Sequence, residues 1–155
     1  MTAILMMLAA AATTVSYDCV LEPPQTLITE SGKPSLNPLQ LGGVTADNWK
    51  FTVQLVPKGI GREAKVLWAG DPIQIAGAHP VVPTSAGSVA IVAAAAGPCM
   101  FTETGCVTVV HLVDDANGAK VTIMPTALAS DSAAHTRAPF TVIIEGRCSR
   151  SEGSK

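Results

Sequence analysis

Charge is scarce in this chain, aromatic side chains are scarcer, and there are only 3 histidines. Charged residues make up 14% of its 155 positions, where an ordinary soluble domain carries about 25%. Lysine and arginine number 10 against 12 acidic residues, for a formal net charge of -2, and neither sign forms a long run. A phosphate backbone or an anionic bilayer attracts concentrated positive charge, so nucleic acid is excluded as a partner. Aromatics interleaved with bases would suit single strands, yet only Trp49-Lys50-Phe51 has that character, and two such aromatics more often serve a core. Catalytic signatures are missing too. The chain has no Gly-x-Ser-x-Gly, no phosphate loop, no dinucleotide fingerprint and no Cys-x-x-Cys. Structural zinc takes closely spaced pairs of ligands, and neither Cys19 nor Cys148 belongs to one. No catalytic residue, cofactor or metal site is therefore expected.

What is present begins with an uncharged leader. Met1 to Tyr17 carry no charge, and the apolar block Ala3 to Ala12 is shorter than the stretch of about 20 residues that spans a bilayer as a helix. It suits a signal-peptide core followed by small residues, which predicts a signal peptide over 1–16 with cleavage after Ser16, or alternatively after Ala12. The competing reading is a hydrophobic first strand or helix of the core. Cleavage would leave a single exported β domain over 17–148, a disordered polar tail over 149–155 and no stable membrane span, which places the chain in the periplasm or outside the cell.

There are 4 cysteines, namely Cys19, Cys99, Cys106 and Cys148. An even count in a small exported chain reads as two disulfides, and the spacing favours Cys99 with Cys106 and Cys19 with Cys148. The first would clamp the stretch "GPCMFTETGC" as a hairpin, worth about 2.5 kcal/mol through loop-closure entropy. The second would tie both ends of the domain together, worth about 4 to 5 kcal/mol on the same basis.

Strand chemistry dominates after Asn48. In "WKFTVQLV", Trp49, Phe51, Val53 and Leu55 fall on one face, with Lys50, Thr52 and Gln54 on the other. "AKVLW" (64–68), "SVAIVAAAA" (88–96), "VTVVHLV" (107–113), "KVTIMPTAL" (120–128) and "FTVIIE" (140–145) follow, and Asn117-Gly118 is a strong hairpin signal. Short strands joined by Gly, Pro and Asn turns predict an all-β fold, a small antiparallel β-sandwich or β-barrel stapled by two disulfides.

Two connections, 30–48 and 69–87, are rich in Gly and Pro and read as long loops, where function tends to sit. The second holds Asp71 and His79, which would form an acid–base pair if they converged. Glu103 would sit near the exposed tip of the clamped hairpin, so Asp71, His79 and Glu103 are the candidate binding residues. His111 shares a strand face with Val107, Val109 and Val113, which suits a hydrogen-bonded core edge or a surface site. His135 is expected in solvent. Asp114 and Asp115 precede the Asn-Gly turn and read as turn residues, Ser85 likewise, while Lys50, Lys58, Arg62 and Lys65 would give one hairpin a mildly basic surface.

The bracketing of the domain by "YDC" and "EGRC" resembles the ends of small exported bacterial β domains, including lysozyme-inhibitor-like barrels. That likeness covers the two ends and implies an architecture, with no functional residue attached. The expected function is a non-enzymatic binding or structural role in the cell envelope, toward an unknown protein or small ligand. The alternatives are a secreted enzyme inhibitor presenting the 99–106 hairpin and a small hydrolase using residues 69–87.

Overall fold

The structure, a computed structural model, describes residues 13–30, 33–39, 49–85, 87–95, 106–115, 118–127 and 141–152. The expected alternation is seen first in β4 (Lys50–Lys58), where Phe51, Val53 and Leu55 are buried and Lys50 is exposed. The same period of two runs through β1 (Val15–Leu21), β5 (Gly61–Leu67), β7 (Ser88–Ala95), β8 (Cys106–Asp115), β9 (Gly118–Ala127) and β10 (Thr141–Glu152). Each of these strands has one apolar face to hide. They solve this together, pairing antiparallel in the order β1-β4-β5-β6-β7-β8-β9-β10, with β6 spanning Gly77–Ser85.

β1 also pairs with β10, from Val15↔Glu152 to Leu21↔Gly146, and this seam closes the sheet into a barrel of the eight strands just named. The choice between sandwich and barrel thus falls to the barrel. An interior of this size is filled by side chains. Here Tyr17, Phe51, Val53, Val66, Ile91, Val110, Ile123 and Ile144 belong to one buried cluster. On the outer wall Asp18, Lys50, Lys65, Lys120, Glu145 and Arg147 are exposed. Charge on that wall is opposite to the apolar exterior of a transmembrane barrel, and no helix among the described residues is long and apolar enough to cross a membrane.

The seam carries the disulfide Cys19–Cys148, between residues directly opposite each other with Cα atoms 4.0 Å apart. Both cysteines point inward, 2% and 7% exposed. Two residues away the seam leaves no room for a side chain on β10. A Cβ on Gly146 would lie 2.6 Å from the Val20 carbonyl oxygen and 2.8 Å from Leu21 Cδ2, so only glycine fits opposite Leu21. The other expected staple, Cys99–Cys106, involves Cys99, which lies outside the described residues; Cys106 opens β8, paired to Ala95 and Ala127.

Three expectations are corrected. The connection 30–48 contains strand β3 (Lys33–Pro38), which pairs with β2 (Gln25–Glu30), and the connection 69–87 contains β6. Neither strand is visible in composition, because prolines 34, 38, 80 and 83 sit in them; β3 is the outer strand of its pair, where proline is tolerated. The tail does not begin at 149, since β10 continues to Glu152 along β1. β1 in turn begins at Val15, so a cut after Ser16 would remove a buried residue and its neighbour from the seam.

β2 continues the line of β1. Leu21 pairs with Gly146, the Glu22 amide donates to the Glu145 carbonyl at 2.7 Å, and Gln25 then pairs with Ile143. Pro23 and Pro24, which have no amide hydrogen, interrupt the ladder between them.

Candidate functional site

The two ends of the barrel differ. At one end β4–β5, β6–β7 and β8–β9 are joined by connections of two residues, 59–60, 86–87 and 116–117. At the other end lie residues 68–76, which return the chain from β5 to β6. Here Trp68 stacks on Phe51 with ring centroids 4.9 Å apart and meets Trp49 at 6.4 Å. Ile73 and Ile75, 2% and 1% exposed, join the same core from this loop and close that end.

Asp71 and His79 hold the loop in place. Asp71 Oδ1 accepts from the Ile73 amide at 3.0 Å and Oδ2 from the Ala76 amide at 2.5 Å. His79 Nε2 donates to the Ile75 carbonyl at 2.7 Å. Between the two buried isoleucines Gln74 turns back at φ 60°, exposed, in the left-handed region. Asp71 thus sits on the loop and His79 on β6, paired with Ala64, and each side chain is bonded to the loop's backbone. Of the remaining candidates, Glu103 and His135 lie outside the described residues.

His111 does share the outer face with Val107, Val109 and Val113. Its Nε2 shares a 2.7 Å hydrogen bond with Ser88 Oγ, which shares another, of 2.6 Å, with Thr84 Oγ1. The contact to Thr84 arises at a register shift between Pro83 and Ser85, where β6 carries one residue more than β7. A serine and a histidine at this distance invite comparison with a nucleophile and its base. A working pair also needs a group that orients the histidine and donors for an oxyanion. Among the described residues no carboxylate bonds His111, and Ser88 is only 6% exposed. The trio is a hydrogen-bonded patch on the barrel wall.

Among the described residues the hairpin end is open. A cavity of about 440 Å³ lies there, walled by Leu55, Val81, Val89 and Leu112. Tyr17, Arg62, Asp114 and Arg150 supply its phenolic and charged lining. Asp114 is not a turn residue, because β8 runs on to Asp115, and the period that buries Val110 and Leu112 brings Asp114 to the same inner side. Its Oδ2 accepts from the Tyr17 hydroxyl at 3.2 Å and from Arg150 Nη1 at 2.7 Å. Arg150 Nη2 donates to Glu152 at 2.9 Å. The Asp114 amide donates to the Gly87 carbonyl at 2.7 Å. Gly87 permits this contact, since at φ +75° a Cβ would lie 2.9 Å from the Asp114 carbonyl oxygen.

Burial raises the pKa of the Tyr17 phenol, and the charge of Asp114 and its hydrogen bond raise it further, against smaller opposing effects of Arg150 and Arg62. Asp114 in turn raises the Arg150 guanidinium. A neutral phenol and a guanidinium are donors, and a carboxylate bonded to both is poorly placed to remove a proton from a substrate. The arrangement can hold and orient a polar group against an apolar wall.

The basic residues expected to share a surface are divided between the ends. Lys50 starts β4, whereas Lys58 pairs with Glu63 beside the mouth and Arg62 lines it. A wider groove of about 770 Å³ crosses the outside of β1, β4 and β5, and its polar pair Asp18 and Thr52 bond each other at 2.7 Å. Among the described residues no group of three or more His, Cys, Asp or Glu side chains could hold a metal ion.

Nothing in the spacing of Tyr17, Asp114 and Arg150 announced them as neighbours. Parity alone could have placed Asp114 inside. Comparison of the chain with protein-family models, curated proteins and solved structures gives no match.

Proposed function

We propose that this chain is an exported, disulfide-closed β-barrel that acts by binding, with the open mouth at the hairpin end as its site. The observation that carries this is the meeting, in one cavity, of an apolar wall with a fixed Tyr17–Asp114–Arg150 cluster, the composition of a small-molecule site. Export is supported by the uncharged leader and by the Cys19–Cys148 bond, since disulfides persist in oxidising compartments. Cleavage after Ala12 fits best, because it leaves β1 whole. A Cys99–Cys106 staple would add a second bond at the opposite end.

The test has two parts. Fractionation of cells expressing the full chain, with N-terminal sequencing of the product, should give an exported form that retains Val15. A panel of small neutral, anionic and cationic compounds, followed by thermal shift, should give ligands that raise Tm and are recovered unchanged. A cytoplasmic, uncleaved product would remove the export half, and turnover of a stabilising compound would replace binding with catalysis.

A further inference from the structure

We infer that the mouth takes a small amphipathic carboxylate, with Arg62 receiving its head group and the Leu55, Val81, Val89 and Leu112 wall receiving its apolar body. This rests on the binding reading above and adds the chemical class. Three charged side chains line the cavity, two arginines and one aspartate, which leaves a formal excess of one positive charge. The excess is localised. Both terminal nitrogens of Arg150 are engaged, by Asp114 and Glu152, and Lys58 on the same hairpin as Arg62 is paired with Glu63.

Arg62 stands apart from these pairs. It shares the inward parity of Ala64 and Val66 on β5 and lines the cavity, and its side chain has no hydrogen bond or ion pair among the described residues. Its charge reaches into the site, where it offsets a small part of the rise in the Tyr17 pKa. A planar guanidinium presents paired donors that match the two oxygens of a carboxylate. A cationic ligand would have to compete with Arg150 for Asp114, and a neutral one would leave Arg62 as it is. The cavity, at about 440 Å³, falls within the range of about 300 to 1,000 Å³ that small ligands occupy.

An alkyl or an aryl body would satisfy the wall equally, so both are tried. Calorimetric titration of the disulfide-intact chain with octanoate, 4-propylbenzoate, octan-1-ol and octylammonium compares the head groups directly. At least one carboxylate should bind about tenfold more tightly than the alcohol, as expected of one charged hydrogen-bonded contact. The ammonium should bind more weakly than either. Arg62→Gln should bring the carboxylate down to the alcohol and leave the alcohol unchanged, while Arg62→Lys should restore part of the preference. Because Arg62 is exposed, neither variant should change Tm without ligand.

Equal binding of carboxylate and alcohol, or a carboxylate preference that survives Arg62→Gln, would overturn the inference while leaving binding at the mouth intact. If none of the four probes binds, the carboxylate class is likewise overturned, and the compound panel decides the binding reading separately.

Discussion

The hydroxyl of Tyr17 lies 3.2 Å from Asp114 Oδ2, joining the first barrel strand to the end of β8 across 97 residues of sequence. No strand pairing connects β1 with β8, so the bond spans the mouth from one wall to another. It fixes the aspartate that Arg150 also holds. Whatever enters the mouth meets these three groups already oriented.

Tyr17 is the chain's 1 tyrosine, so tyrosinate absorbance reads this phenol alone. It should titrate above the ordinary value near 10, for burial first and Asp114 second. A raised folded-state pKa means the folded chain holds the proton more tightly than the unfolded one. The corresponding stability is therefore complete below pH of about 10 and is lost as pH rises through the folded value. Asp114→Asn should lower the midpoint toward the ordinary value. Tyr17→Phe should flatten the alkaline decline in stability measured by urea unfolding. A midpoint at or below that of free tyrosine would contradict the buried, bonded position.

Gly146→Ala should destabilise by about 1 to 3 kcal/mol, because the new methyl meets backbone as well as the Leu21 side chain. Gly61→Ala is the control, its Cβ meeting only the Lys58 carbonyl oxygen at 3.9 Å, and should stay within about 0.5 kcal/mol of wild type. Equal effects would show that the seam does not close at the distance described.

Replacing Cys19 and Cys148 by alanine should cost about 2 to 5 kcal/mol in denaturant unfolding. Since both sulfurs face the core, a thiol reagent should label them only after reduction in denaturant. Non-reducing peptide mapping should recover a Cys19–Cys148 peptide, and a Cys99–Cys106 peptide if the clamped hairpin forms. A Cys19–Cys106 or Cys99–Cys148 peptide would contradict both pairings.

At the closed end Ile75→Ala should cost about 2 to 5 kcal/mol by leaving a void in the core. Asp71→Ala should cost about 1 to 3 kcal/mol by leaving the Ile73 and Ala76 amides without their acceptor. Both should alter the fluorescence of Trp49 and Trp68 at the same end, and neither should alter binding at the mouth. A binding defect in Asp71→Ala that exceeds its loss of stability would favour a hydrolase-like use of the 69–87 segment.

Local pattern was enough to reveal β4, β7, β8 and β9, where alternation is clean and the Asn117-Gly118 signal falls at the β8–β9 connection. It was not enough for β1. Val15 and Tyr17 extend an uncharged leader, and they are recognisable as strand residues only through distant partners, Leu55 and Val53 on β4 and Glu152 and Arg150 on β10. β10 runs beyond its apolar stretch, because Gly146, Arg147 and Ser149 look like an ending until Gly146 is set opposite Leu21 and Arg147 and Ser149 face outward on either side of buried Cys148. The mouth was hidden for the same reason. Tyr17, Arg62, Asp114 and Arg150 come from four strands, so closure of the barrel, not sequence spacing, makes them neighbours. The 69–87 connection hid a strand as well: His79 lies on β6 and Asp71 on the loop before it, and both bond that loop's backbone, where they brace the Ile73–Ile75 closure.

The most direct test is methyl-resolved NMR of the isotope-labelled chain as octanoate is added. Shifts concentrated on Leu55, Val81, Val89 and Leu112, with Ile73 and Ile75 unmoved, are the predicted result. Shifts centred on Val20 and Leu67 in the outer groove, or on the isoleucines of the closed end, would contradict a binding mouth at the hairpin end.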